Sequence, residues 1–339
     1  MKAIMSIIFS IYLAIITFAG QLTDIPKKAY EENGGRPVET ISLPLPGGSD
    51  PWVFEHDNMY YYCYSVGNGV GVRCSDKLST LCNGEETIVY RAPEGKMYSY
   101  SYWAPEMHYI NGSWYIYVAA DNGMNENHRM YVMKGTSPTS QFKMVGKISD
   151  KTDRWAIDGT VLDYNNELYF IWSGWETEVD TGQNLYIAHM SSPTKIDGER
   201  HLLSNPYRSW ETRGHPINEG PEILKNGDDL YVIYSASGSW TDDYCLGMLV
   251  YREGDITNKE SWVKCPKAVL SKEDTAYGPG HCCFIKSKDG KTNYIAYHSN
   301  LISGTGWDGR TIRIQPFIYK NGIPVFGKPL KENTKVNIY

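Results

Sequence analysis

The sequence predicts an all-β fold, a five-bladed β-propeller, from three observations. A hairpin-like phrase recurs five times, starting at Asp50-Pro51-Trp52-Val53, Ala104-Pro105-Glu106-Met107, Asp158-Gly159-Thr160-Val161, Glu219-Gly220-Pro221-Glu222 and Pro279-Gly280-His281-Cys282. Each start leads through a short apolar run to a polar turn (Asp57-Asn58, Asn111-Gly112, Asn165-Asn166, Asn226-Gly227, Asp289-Gly290) and an aromatic-rich second strand such as Trp114-Tyr115-Ile116-Tyr117. The first four starts lie 54, 54 and 61 residues apart, a period at which each repeat of several short strands makes one blade. Helical spacing of apolar residues over three turns is missing, whereas Leu168-Tyr169-Phe170-Ile171-Trp172 and Leu230-Tyr231-Val232-Ile233-Tyr234 read as strands.

The elements follow in order. Residues 1–20 carry a basic start, an apolar run over residues 5–18 and the small residues Ala19 and Gly20, the layout of a secretory signal peptide cut near Gly20 or Gln21. The run is shorter than a bilayer span of roughly 20 residues, and no basic stop-transfer cluster follows. A secreted, extracellular protein is therefore expected, with no membrane attachment after cleavage. Residues 21–339 form one propeller domain: a Pro- and Gly-rich lead-in over 21–48, then blades over 49–100, 101–155, 156–215, 216–275 and 276–339.

Composition narrows the function. Net charge is −6 with no basic cluster, which excludes nucleic acid as a partner because phosphate binding needs grouped Lys and Arg. The 27 Tyr and 10 Trp suit β-strands, and a few are expected to stack on sugar. Seven Cys allow the bridges Cys74–Cys82 and Cys245–Cys265, while the side chains of Cys282 and Cys283 should point to opposite faces of a strand. Gly67-Asn68-Gly69-Val70-Gly71 reads as a turn, not a dinucleotide fingerprint. Asn111-Gly112-Ser113 is a glycosylation sequon on a hairpin turn.

Three starts carry an acid: Asp50, Asp158 and Glu219. The first strand of a blade lines the propeller axis, so the shared position brings the three together, although each of Asp50 and Asp158 alone would pass for a turn residue. Acids gathered at one mouth suit glycoside cleavage, which needs a general acid and a general base flanking the bond. Glu222, three residues beyond Glu219, is expected on the opposite strand face by simple alternation, in a structural role.

The chain resembles glycoside hydrolase family 43 over its full mature length. The resemblance rests on Asp50-Pro51-Trp52-Val53, Trp103-Ala104-Pro105-Glu106, Ile157-Asp158-Gly159-Thr160, Asn218-Glu219-Gly220-Pro221, Gly278-Pro279-Gly280-His281, Gly309-Arg310-Thr311 and Gln315-Pro316-Phe317. Trp172-Ser173-Gly174-Trp175, Gln183-Asn184-Leu185-Tyr186 and Tyr234-Ser235-Ala236-Ser237-Gly238 resemble its extracellular α-L-arabinofuranosidase branch. The resemblance implies an inverting glycosidase that removes terminal α-L-arabinofuranosyl units from arabinan or arabinoxylan-type polysaccharide. β-Xylosidase and endo-arabinanase activities are the alternatives within the family, and a non-catalytic sugar-binding propeller is the alternative class. By motif, Asp50 is the general base, Glu219 the general acid, and Asp158 the carboxylate that orients the acid and raises its pKa. Trp52, Trp103 and Arg310 are candidate substrate-binding residues, Arg310 through a sugar hydroxyl or through Asp158. His281 is the candidate ligand of one calcium or other cation at the axis, and no organic cofactor is expected.

Overall fold

The computed structural model describes residues 39–46 and 48–339, so the expected signal peptide lies outside the described residues. Five separate antiparallel sheets make five blades. Blade one is Trp52–His56, Met59–Ser65, Gly69–Ser75 and Glu85–Arg91, and blade two is Tyr100–Ile110, Ser113–Asp121, Arg129–Gly135 and Lys143–Lys147. Blade three runs Ala156–Tyr164, Glu167–Gly174 and Asn184–Ser192, and this third strand pairs with both Lys195–Ile196 and His201–Ser204. Blade four is Asn218–Asn226, Asp229–Ala236, Cys245–Tyr251 and Trp262–Lys264. Blade five is Tyr277–Lys286, Asn293–Asn300, Arg310–Lys320 and Ile323–Val325.

The core is a ring of five clusters, one between each pair of neighbouring blades. This explains why second strands read as unbroken apolar runs. In blade four, Leu230, Val232, Tyr234 and Ala236 enter the cluster shared with blade three, while Tyr231 and Ile233 enter the one shared with blade five. A strand buried on both faces cannot alternate apolar with polar residues.

The lead-in is more than a leader to blade one. Glu39–Ser42 pairs antiparallel with Lys335–Ile338, and Leu45 bridges to Ile312 of blade five. Ile41, Leu43, Leu45, Val336 and Ile338 are buried in the cluster between blades five and one. Each such burial is worth about 1.5–3 kcal/mol, so the paired strands Glu39–Ser42 and Lys335–Ile338 clasp the ring where it closes.

All seven cysteines are free thiols, so neither expected disulfide forms. Cys74 is half-buried on the third strand of blade one, while Cys82 is buried in the cluster between blades five and one. Cys245 and Cys265 fall in different inter-blade clusters, on opposite faces of blade four. Cys282 and Cys283 do part as expected, one into the cluster with blade four and the other into the cluster with blade one. Asn111 is exposed at its hairpin turn.

Candidate active site

One backbone feature marks the mouth of the funnel in every blade. Asp50, Ala104, Asp158, Gly220 and His281 all adopt left-handed backbone, with φ between 44° and 53°. In blades two to five this residue opens a β-bulge: the ladder pairs Trp103 with Ala119 and then Glu106 with Tyr117, Ile157 with Ser173 and then Thr160 with Ile171, Glu219 with Ser235 and then Glu222 with Ile233, Gly280 with His298 and then Cys283 with Ala296. A bulge re-aims the side chain it contains. Asp tolerates positive φ better than most residues, which suits it to this position twice.

The bulge corrects two expectations. Asp50, Asp158 and His281 share the left-handed position, but Glu219 stands one residue before it, in register with Trp103. Gly220 takes the left-handed place in blade four, where a Cβ would stand 3.2 Å from the His281 ring. Glu222 pairs with Ile233 and Glu219 with Ser235, two residues apart on the partner strand, so both glutamates lie on one face. Simple alternation placed them on opposite faces because it could not count the extra residue. Glu222 is buried with one carboxyl oxygen lacking a hydrogen bond, and burial together with Glu106 holds its pKa well above the usual range.

The four groups at the mouth differ sharply in charge preference. His281 Nδ1 lies 3.2 Å from Asp50 Oδ1 and 3.9 Å from Asp158 Oδ2. Arg310 Nη1 stands 3.4 Å from Asp50 Oδ1, and Arg310 Nη2 donates to the Ser239 carbonyl at 3.0 Å. Arg310 therefore serves Asp50, not Asp158. Burial would raise the Asp50 pKa, but His281 and the Arg310 guanidinium outweigh it and hold Asp50 well below the usual carboxylate range. Asp158 is pushed up to about 6 by burial, partly offset by His281, with the Asp50 charge adding to the rise. Glu219 is pushed up to about 8 by burial and the neighbouring Asp158, against the opposing pull of Tyr244, His281 and Arg310. His281 rises to about 9, because Asp50 and Asp158 overcome the burial that would lower it. The arrangement can hold one carboxylate ionised and another protonated at the same pH.

The remaining candidates separate by burial. Trp103 is 40% exposed and its ring stacks on buried His128 at 3.9 Å between centroids, so one indole face is backed and the rest is open. Trp52 is wedged between blades: its indole N–H donates to the Met107 carbonyl at 2.9 Å and its ring packs into the clusters on both sides of blade one. For His281 as a metal ligand, Nδ1 is turned to Asp50, which leaves Nε2 as the nitrogen for an ion. Among the described residues no group of three or more His, Cys, Asp or Glu side chains is placed to hold a metal, so an ion there would draw its other ligands from water.

Sequence reasoning missed Tyr244, His298 and Ser235. Tyr244 OH donates to Glu219 Oε1 at 2.8 Å, and its ring fits only because residue 280 is glycine: a Cβ there would lie 2.1 Å from the Tyr244 ring. His298 Nδ1 accepts the Asp50 backbone N–H at 3.1 Å, and Tyr244 stacks on it at 5.7 Å with planes 6° apart. Burial, with help from Arg310, lowers the His298 pKa to about 3, so the ring is neutral and Nδ1 is free to accept. Ser235 Oγ accepts the His281 N–H at 2.7 Å. A register signal existed for His298. Opposite the bulge, blades two, three and four place the small residues Ala119, Ser173 and Ser235, and blade five places a histidine.

Fold and site define a five-bladed propeller with an acidic, cation-braced funnel at its axis. Residues 45–324 match the family described as glycosyl hydrolases family 43, and the chain belongs to that family. An extracellular exo-α-(1→5)-L-arabinofuranosidase of Streptomyces avermitilis is 31% identical over 87% of this chain and 65% of its own length. A protein of the same description from Streptomyces chartreusis is 30% identical over 83% of this chain and 88% of its own. The crystal structure of an α-L-arabinofuranosidase from Lactobacillus brevis superposes with a TM-score of 0.81 at 30% identity, covering 87% of this chain and 98% of that one. This chain thus spans slightly under two thirds of the Streptomyces avermitilis relative. Among the described residues, no helix is long and apolar enough to cross a membrane.

Proposed function

We propose that this chain is a secreted, inverting glycoside hydrolase that releases terminal α-L-arabinofuranosyl residues from α-1,5-linked arabinan and from arabinoxylan-type side chains. The observation that carries this reading is the contrast between two carboxylates at one mouth. Asp50 faces His281 and Arg310, whereas Glu219 is buried against Asp158 with one tyrosine hydroxyl as its donor. Asp50, kept ionised, takes a proton from a water on one face of the sugar. Glu219, kept protonated, gives its proton to the leaving oxygen on the other face. That division needs about 6.5–9.5 Å between the two carboxyl groups, room for the water. Asp158 supports the acid electrostatically, and its Oδ2 accepts the Gly220 N–H at 3.0 Å. Calcium is proposed as an occupant of the axis with His281 as its one protein ligand. Its charge would then replace the proton on His281 Nε2, while Nδ1 keeps its N–H toward Asp50. The names of the similar Streptomyces proteins support the linkage, and the signal-like residues 1–20 support secretion. Incubation with α-1,5-arabino-oligosaccharides, linear arabinan and xylobiose tests the reading. Release of single arabinose units is expected; xylose from xylobiose, or internal cuts in arabinan, would replace it with one of its relatives.

A further inference from the structure

The exposed apolar side chains are distributed unevenly over the propeller. Neighbouring strands run antiparallel, so the face where first strands begin also carries the loops joining second to third strands. Nine of the eleven large apolar side chains exposed among the described residues lie at that face, including Tyr100, Trp103, Tyr207, Trp240 and Trp307. Tyr109 and Val145 are the two that do not. Exposed apolar area gathered around a polar site marks a binding surface rather than a chance scatter.

Two of these rings form a built structure. Trp240 and Trp307 meet edge to face, with centroids 5.9 Å apart and planes at 78°, and they remain 43% and 60% exposed. The loops that carry them are stitched together: Trp307 Nε1 donates to Ser239 Oγ at 3.1 Å, and Asp242 accepts the Gly304 N–H at 2.9 Å and also the Ser303 hydroxyl, while Asn300 Nδ2 braces the Trp307 loop from within by donating to the Gly306 carbonyl at 2.7 Å. With its N–H engaged, Trp307 offers its ring face. The pair is also tied to the chemistry at both ends of one short segment. Ser239 holds Arg310, which reaches Asp50, and Tyr244 holds Glu219. Trp240 lies between those two anchors.

We propose that Trp240 and Trp307 form the platform for the sugar that bears the leaving oxygen. This inference rests on the proposed function, in which Glu219 protonates that oxygen. The ring attached to it must lie on the Glu219 side of the site, where the segment from Ser239 to Tyr244 forms the rim. Two indoles set nearly at right angles make a corner that contacts a puckered ring on two sides through its C–H groups. The occupant is the next α-1,5-linked arabinofuranosyl ring of the chain being shortened.

The test compares kcat/KM for α-1,5-arabinotriose with that for methyl α-L-arabinofuranoside, which has no second sugar. In Trp240→Ala and Trp307→Ala the ratio should fall about ten-fold, an effect of the size that ring stacking supplies. Trp307→Phe should keep most of the ratio, and Tyr109→Ala, an exposed aromatic on the other face, should leave it unchanged. As a check that does not depend on folding of the alanine variants, Trp240 and Trp307 in Glu219→Gln should be shielded by arabinotriose, but not by arabinose, from N-bromosuccinimide oxidation read by mass spectrometry. An unchanged ratio in both alanine variants, a fall as large in Tyr109→Ala, or absence of shielding would overturn the platform. A wild-type enzyme that cleaves neither substrate would overturn the proposed function, and the platform with it.

Discussion

Asp158 accepts the backbone N–H of Gly220 at 3.0 Å, which pins the third carboxylate one residue from Glu219. The bond depends on the left-handed turn at Gly220, and it sets Asp158 where its charge bears on the buried acid.

Removing that charge should therefore move the acid's titration. Asp158→Asn is expected to shift the alkaline limb of kcat/KM from about 8 toward lower pH, because Glu219 loses a neighbour that raises its pKa. The rate should also fall by about 10-fold or more, as is usual when general acid catalysis is impaired. A pH–rate series on an unactivated arabinoside measures both.

Tyr244→Phe should move the same limb the other way. The hydroxyl stabilises ionised Glu219, so its loss leaves the acid protonated to higher pH. Opposite displacements in the two variants would separate these effects from a general loss of structure.

Much of this site was legible in the sequence, and the parts that were not have a common cause. Asp50, Asp158 and His281 could be aligned because each opens its blade at a turn-like position, and that position is the left-handed residue of the structure. Glu219 looked equivalent only because a carboxylate was sought there, while the backbone-equivalent residue is Gly220. The misplacement of Glu222 follows from the same bulge, since an extra residue in a ladder leaves no mark in a pattern of alternation. Tyr244 and His298 reach the acids from the loop before a third strand and from a second strand, through contacts that span 25 and 248 residues, which no local motif encodes. The disulfides failed because closeness in sequence says nothing about which inter-blade cluster a thiol enters.

Stability should carry the signature of the buried acid. Folded Glu219 titrates near 8 against an ordinary 4.5, so between those values the folded state holds a proton that the unfolded chain has released. Stability from this group is thus lost as pH rises through that window, by at most about 1.4 kcal/mol per pH unit. Glu219→Gln has no proton to lose, and its melting temperature should exceed that of wild type by a margin that widens from pH 5 to pH 8. Calorimetry at a few pH values measures this. A margin constant with pH would place the Glu219 pKa near its ordinary value.

Calcium at the axis is checked by chelation. Chelator-treated enzyme should lose part of its activity or melting temperature and regain it with added calcium, whereas His281→Ala should start at the lowered level and not respond. A wild type indifferent to chelator would leave the protonated His281 ring as the axial cation.

The central claim, that Asp50 activates water on one face while Glu219 protonates the leaving oxygen on the other, is tested most directly by proton NMR of the sugar first released. With an α-L-arabinofuranoside as substrate, the account predicts that β-arabinofuranose is seen first and the α anomer grows in only by mutarotation. Initial accumulation of the α anomer would mean retention through a covalent intermediate and would contradict the roles given to both residues.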